Sequence, residues 1–108
     1  MSERDNEACE LCGRAKLPLT RHHLIPQTRH KNRRNKRDFS RSEVRTRLAM
    51  LCEPCHANVH VHYSNKELER RLNTVEALRQ EPVIVKFSRW IARKPAGFKP
   101  VSRPIHYR

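Results

Sequence analysis

Four cysteines in two pairs have the spacing needed to hold a metal ion. Cys9-x2-Cys12 and Cys52-x2-Cys55 each read as a zinc knuckle, in which both thiolates of one tight turn contact the same ion. Two knuckles complete a tetrahedral zinc site. Disulfides or a redox use of the cysteines are the alternative, but no apolar signal segment opens the chain, and residues 1–10 carry four acids. We therefore predict one structural zinc.

Three histidine positions offer a second metal centre beside the first. His56 follows Cys55 directly and His60 lies four residues later, so both rings project from one face of a helix and can reach one ion. His22 and His23 are neighbours in a segment of extended character, where adjacent side chains face opposite ways. One of them can complete a site with the helix pair, and the other then stays free of metal. Histidine as a residue type suits the role of a base at neutral pH. A cation beside a free imidazole suits phosphodiester hydrolysis, whereas two unrelated surface histidines are the plainer alternative.

The composition sets the size of the fold that can carry these sites. A chain of 108 residues has room for one small domain, and with 36% hydrophobic and 32% charged residues its core is thin. Chains of this size often need a metal as a staple. No run of 18 apolar residues occurs, so we expect no membrane span and a cytoplasmic location.

The charge predicts a nucleic-acid partner. The net charge is +13 with an isoelectric point near 10.7, from 24 Lys and Arg against 11 Asp and Glu. Clustered cations neutralise phosphates and release counterions, so we expect DNA, in double-stranded form, as the partner. A solvated, soluble surface is the alternative reading. The residues predicted to contact the DNA backbone are Arg29, Lys31, Arg33, Arg34, Lys36, Arg37, Lys86, Arg89, Arg93 and Lys94.

Two strands and a helix should position the cysteines and histidines. Residues 15–25 have extended character up to Pro26, which biases its predecessor away from helix, and residues 47–51 form an apolar run suited to the partner strand. A helix over residues 53–63 should start at the second knuckle. Between the strands, residues 27–42 read as a long basic loop, within which Ser40-x2-Glu43 could cap a short helix.

The C-terminal half predicts further helices. Asn65 can cap a helix to about Leu72, Thr74 can cap another to Gln80, and Pro82 can open a third. In that third helix we interpret Trp90 as a core anchor rather than a base-stacking residue. Residues 95–108 read as a surface arm or tail. The predicted apolar stripe of the third helix consists of Val83, Ile84, Phe87, Trp90 and Ile91.

The ordered motifs resemble those of the HNH endonucleases, the ββα-metal nucleases. The resemblance covers about residues 9–62 and rests on the first knuckle, TRHHLIP at 20–26 and LCEPCHANVH at 51–60. It implies an α+β fold with a small zinc-stapled, treble-clef-like core. It also implies that His22, His56 and His60 hold one catalytic divalent ion (Mg²⁺, Mn²⁺, Ni²⁺ or Zn²⁺), with His23 as general base. The implied reaction is hydrolysis of DNA to 5′-phosphate and 3′-hydroxyl ends.

One position departs from the resemblance. Arg47 stands where the family usually has an Asn that steadies the loop bearing the base. Asn32 or Asn35 could orient His23 instead, and Arg47 could contact a phosphate. This departure keeps open the alternative of a catalytically degenerate, zinc-stapled nucleic-acid-binding module.

The resemblance also suggests how the chain divides. We predict a nuclease core over residues 1–63, a helical extension packed on it over residues 64–94, and a basic, proline-containing tail over residues 95–108. The number of subunits is not readable from these patterns.

Overall fold

A two-stranded antiparallel sheet supports both groups of candidate ligands. The computed structural model describes residues 8–98 and residue 100. Strand β1 (Leu19–His23) pairs with strand β2 (Leu48–Cys52), and their register places His22 opposite Ala49. The predicted strand pair is therefore confirmed, but β1 occupies only residues 19–23 of the extended segment predicted over residues 15–25, and β2 begins one residue later than predicted and runs on to Cys52.

Helix α3 (Glu53–His62) continues directly from β2, as predicted. Cys52 is its N-cap residue, and Pro54 lies in the first turn, where the missing backbone N–H costs no helical hydrogen bond. The turn from strand to helix thus occurs at the second knuckle itself, and His56 lies one turn into the helix.

The connection between the strands is helical, so the prediction of a long loop was wrong. A 3-10 helix (Gln27–Lys31) leads into helix α1 (Arg33–Asp38) and helix α2 (Arg41–Thr46). Arg and Lys are good helix formers, so a basic stretch is compatible with helix. Ser40 caps α2 as predicted, in a reciprocal capping box with Glu43.

Three further helices follow α3. They are α4 (Asn65–Arg71), α5 (Val75–Arg79) and α6 (Pro82–Ile91). The predicted cap of α4 was one residue late, because the Ser64 hydroxyl, in a capping box with Glu67, accepts the first hydrogen bond. Thr74 caps α5 as predicted, and Pro82 opens α6 as predicted.

One apolar core joins the sheet, α3 and the C-terminal helices. Leu51, Val59, Leu68 and Ile91 are all fully buried in it, and α6 packs against α3. The wider set of buried hydrophobic residues in this cluster is Cys9, Leu24, Ala49, Leu51, Cys52, Cys55, Val59, Tyr63, Leu68, Leu72, Leu78, Ile84 and Ile91.

The apolar stripe predicted for α6 was partly wrong. Ile84 and Ile91 are buried, but Trp90 is 43% exposed and Val83 is 39% exposed. Buried Ser88 takes the place on the inner face that was assigned to the indole. Trp90 is therefore not a core anchor, because the predicted stripe was wider than the face that α6 turns towards α3.

The predicted division of the chain has no direct test in the structure. The boundaries at residues 63 and 94 stay predictions, and the core crosses the first of them without a break. Of the predicted tail, residues 99 and 101–108 lie outside the described part. Across residues 8–98 and 100, no helix is both long enough and apolar enough to cross a membrane.

Candidate metal centres

The four cysteine sulfurs form one group. Cys9, Cys12, Cys52 and Cys55 have all their Sγ atoms within 4.8 Å of one another. Cys12 Sγ lies 3.8 Å from Cys52 Sγ, and a tetrahedral zinc with bonds of about 2.3 Å holds its sulfurs about 3.8 Å apart. None of the four is in a disulfide. The group could therefore bind a structural metal such as zinc.

Local backbone hydrogen bonds explain why the first knuckle can reach the second. The Cys12 N–H donates to Cys9 Sγ at 3.4 Å, and the Gly13 N–H donates to the Cys9 carbonyl at 2.9 Å. Gly13 has a φ of 82°, a backbone conformation that a side chain disfavours. Glu10 then ties this turn to β2, because the Met50 N–H donates to its carboxylate at 2.6 Å.

The thiols are crowded in a way that a cation would relieve. Hydrogen bonds from Cys52 and then Cys55 lower the pKa of the Cys9 thiol. Hydrogen bonds with Cys52 and Cys9, followed by burial, raise the pKa of Cys55. Four thiolates so close together need a divalent cation to balance their charge.

Arg14 is a neighbour of this group that the sequence analysis did not single out. It is buried, its Nη2 lies 3.5 Å from Cys52 Sγ, and its Nη1 donates to the Pro95 carbonyl at 2.7 Å. The guanidinium thus places a positive charge beside a tetrathiolate that keeps a negative charge after it binds zinc. It also joins the cysteine group to the segment that follows α6.

His22, His56 and His60 form the second group. Their ligand nitrogens lie within 4.8 Å of one another, and their ring centroids are 4.9 to 5.2 Å apart. His22 is fully buried on β1, and neither of its ring nitrogens has a hydrogen-bond partner among the described residues. A buried imidazole without a partner is unfavourable unless something occupies the space it faces. The donor set therefore fits a divalent cation.

The three rings are held in the neutral form that metal binding needs. Burial, and then the nearby His56 and His60, lower the pKa of His22 to about 3. Desolvation lowers the pKa of His56, with His60 as the next cause, and desolvation also lowers the pKa of His60. At neutral pH all three rings can therefore offer a lone pair.

Thr20 determines which nitrogen of His56 is available. The Thr20 hydroxyl donates its single proton to the Leu51 carbonyl at 2.9 Å. The same oxygen lies 2.8 Å from His56 Nδ1, so it accepts a proton from that nitrogen. His56 Nε2 is then left unprotonated, as a metal ligand must be. Strand alternation could have identified Thr20, because it lies two residues from His22 on the same face.

His23 lies beside this group rather than in it. It lines a cleft of about 240 Å³ together with His56 and His60. No hydrogen bond within the described residues fixes its ring. The other residues that line the cleft are Arg21, Pro26, Gln27, Thr28 and Asn65.

The residues considered for orienting His23 have other partners. Asn35 is buried, lies 2.7 Å from His30 Nδ1 through its Oδ1, and donates to the buried Glu69. Among the described residues, the Asn32 side chain forms no hydrogen bond with His23. Neither Asn therefore supports the orienting role that we considered for it.

The Arg47 side chain is held by Asn73 and Glu43 and does not contact His23. Its Nη2 donates to the Asn73 carbonyl at 2.7 Å and to Asn73 Oδ1 at 3.0 Å. Its Nη1 lies 3.7 Å from the Glu43 carboxylate. The Arg47 backbone does help to position His23, because its carbonyl accepts a hydrogen bond at 3.0 Å from Leu24, the next residue after His23.

The predicted DNA-contacting residues fall into two basic groups. In the first, Arg29 is engaged by Glu69 at 3.1 Å, and Arg34 and Arg37 lie 3.9 and 3.5 Å from Asp38. Lys31, Arg33 and Lys36 are exposed on the same connection. In the second, Lys86, Arg89 and Arg93 are exposed on and after α6, whereas Lys94 lies over the Trp90 ring.

The comparisons with known proteins place the chain in a family. It is 42% identical over 89 residues to a protein of Bacillus subtilis (strain 168) named "Uncharacterized protein YisB", across 81% of this chain and 75% of that protein. No protein-family model matches the chain, and no solved structure matches it significantly. With its cysteine and histidine groups on a shared hairpin and helix, the chain belongs to the same family as YisB.

Proposed function

We propose that this protein is a metal-dependent DNA endonuclease of the HNH type. The observation that carries the proposal is the group formed by His22, His56 and His60, which is open on one side to a cleft lined by His23. A structural centre would be closed by protein ligands on all sides, whereas a catalytic centre leaves a position for substrate and water. The open side of the histidine group therefore favours chemistry over a purely structural role.

Each residue has a distinct part in the proposed reaction. His22, His56 and His60 would hold the divalent ion, which when bound polarises a phosphate oxygen. Thr20 keeps His56 in the required tautomer. His23, which lies outside the group of metal ligands, accepts the proton of the attacking water. The water oxygen bonds to phosphorus while the bond to the 3′ oxygen breaks. The released 3′ oxygen takes a proton from solvent, so the products are 5′-phosphate and 3′-hydroxyl ends.

The charge distribution supports DNA as the substrate. Exposed Lys31, Arg33 and Lys36 lie on the connection that also contributes Gln27 and Thr28 to the wall of the cleft. A duplex drawn to this connection by its phosphates would lie close to the histidine group. The cysteine group, as a zinc site, would fix the hairpin and helix that carry the histidines.

Arg47 favours a second candidate, a nucleic-acid-binding module without activity. Its side chain is engaged by Asn73 and Glu43, so it does not replace the Asn that orients the base in the HNH resemblance. If His23 is poorly oriented as a result, the protein would bind DNA without cutting it.

Conversion of supercoiled plasmid tests these candidates. Wild type, His23→Ala and His60→Ala are compared at low salt with EDTA, Mg²⁺, Mn²⁺, Ni²⁺ or Zn²⁺. We expect metal-dependent nicking by wild type, with His23→Ala slower by roughly 10²–10⁴-fold and partly rescued by added imidazole. Ion affinity, measured by calorimetry, should fall in His60→Ala and stay near wild type in His23→Ala.

Other outcomes separate the candidates. Tight plasmid binding with no cleavage under any ion would favour the binding module and would implicate Arg47 in the loss of activity. Equal loss of ion affinity in both variants would contradict the assignment of His23 as base.

A further inference from the structure

An apolar groove lies between the C-terminal half of α3 and α6. It has a volume of about 400 Å³, and its wall is mainly apolar. Both large hydrophobic residues that are exposed within the described chain, Val83 and Trp90, line it. Ligand sites in proteins are typically concave, with volumes of about 300–1,000 Å³, and are lined mainly by hydrophobic and aromatic side chains. The lining residues are Asn58, His62, Val83, Lys86, Phe87 and Trp90.

The indole of Trp90 is held in place by aromatic and cationic neighbours. The Phe87 and Phe98 rings lie with their centroids 5.7 Å from that of Trp90, at interplanar angles of 54° and 77°. Lys94 Nζ lies 5.1 Å from the Trp90 ring centroid and 5.3 Å from that of Phe98. A ring held by two aromatic neighbours and a cation loses little freedom when a flat ligand stacks on it.

The charges around the groove indicate the chemistry of its occupant. Lys86 lines it, and exposed Arg89 and Arg93 lie on and just after the same helix. After Glu81 the sequence contains no Asp or Glu. A complementary ligand is therefore anionic and also carries a flat apolar face. An unpaired nucleotide has both properties, since its phosphate is anionic and its base stacks on aromatic rings.

We infer that this groove binds an unpaired nucleotide, with its base on Trp90 and its phosphate against Lys86. Asn58 and His62 follow His56 and His60 by two residues each, so the groove lies on the opposite side of α3 from the histidine group. The two sites are separated by about the width of a helix, roughly 10–12 Å. A strand that leaves the cleft can span that distance within a few nucleotides. The inference rests on the proposed nucleic-acid partner but not on cleavage.

Intrinsic fluorescence gives a direct test, because Trp90 is the one tryptophan in the sequence. Wild type is titrated with a short oligothymidylate and, separately, with an abasic oligonucleotide of the same length and charge. We expect saturable quenching by oligothymidylate and little quenching by the abasic strand. Anisotropy of labelled oligonucleotides reports binding of both, so charge and base contacts are measured separately.

Variants define the contact further. Trp90→Ala should weaken oligothymidylate binding by roughly 5- to 100-fold, and Trp90→Phe should retain most of the affinity because a ring remains. Lys86→Ala should weaken binding more than Arg41→Ala, a matched loss of one exposed charge on α2. Circular dichroism confirms that each variant is folded.

Several results would overturn the inference. In the first, the abasic strand quenches the fluorescence as much as oligothymidylate does. In the second, oligothymidylate binds without quenching. In the third, Trp90→Ala weakens single-strand and duplex binding equally. Emission that changes on dilution of the protein alone would assign the groove to a second copy. Quenching only by phosphatidylserine vesicles would assign it to lipid. Plasmid cleavage without quenching would leave the proposed nuclease standing, and quenching without cleavage would leave this site standing.

Discussion

The cysteine group and the histidine group share one hairpin and one helix but differ in how they meet solvent. Cys9, Cys52 and Cys55 are buried, and Arg14 covers the group from the side of Pro95. In the histidine group, burial decreases from His22 through His56 to His60, which is exposed. A closed set of four soft ligands suits a metal that holds the fold, and an open set of three suits a metal that meets a substrate.

The two groups also depend on each other unequally. Cys55 and His56 are adjacent at the start of α3, so the turn that brings Cys52 and Cys55 to the first knuckle also fixes where the histidine face begins. Losing the cysteine centre should therefore disorder the histidine centre. Losing the histidine centre removes no contact from the knuckles, so the reverse should not occur.

The largest expected effect is the loss of a cysteine ligand. Cys52→Ser should release zinc and unfold the domain, because a structural zinc contributes about 10–16 kcal/mol to folding, as much as the whole stability of a typical domain. His60→Ala is the matched change in the other centre. It should alter the stability by less than about 1 kcal/mol, because His60 is an exposed residue. Zinc content and thermal melts followed by circular dichroism provide the measurement.

Two results would erase this difference. If Cys52→Ser kept its zinc and its melting curve, the structural assignment would be wrong. If His60→Ala unfolded as completely as Cys52→Ser, the histidine group would belong to the scaffold rather than to a separate centre.

Removal of metal should distinguish the centres by rate. With Co²⁺ at both sites, the cysteine group has a thiolate charge-transfer band that the histidine group lacks. We expect a chelator to abolish cleavage on the order of ten times faster than it bleaches this band, because the histidine group opens to the cleft whereas Cys9, Cys52 and Cys55 are buried. Loss of activity and of the band at the same rate would contradict separate open and closed centres.

The sequence predicted the elements whose pattern is local. The extended character of residues 15–25 and Pro26 indicated β1, and the four-residue spacing of His56 and His60 indicated their shared face of α3. That one of His22 and His23 completes a site with them was expected from the residues. The choice of His22 came only from the resemblance to the HNH endonucleases.

The errors came from tertiary contacts. The basic connection folds into helices where Asn35 is buried against Glu69, a contact across 34 residues that composition does not show. The exposure of Trp90 depends on which face of α6 meets α3, and the hydrophobic pattern of the helix alone was too wide to decide it. Arg14 was missed because a single basic residue after a knuckle has no distinctive spacing.

The smallest expected effect on cleavage is that of replacing Arg47. This change tests whether the histidine centre is affected by having Arg rather than the usual Asn of the HNH pattern at this position. Arg47→Ala removes two hydrogen bonds to Asn73 and the contact with Glu43, so stability should fall by about 1–3 kcal/mol. Cleavage should change by less than about threefold, because the chain after His23 is held by the Arg47 carbonyl, which every substitution except proline leaves in place. Denaturant melts and initial nicking rates measure the two effects separately. Arg47→Asn sharpens the test. A nicking rate about tenfold or more above wild type would show that the usual Asn side chain orients His23 better than the backbone does. This chain would then have a weakened histidine centre beside an intact cysteine centre.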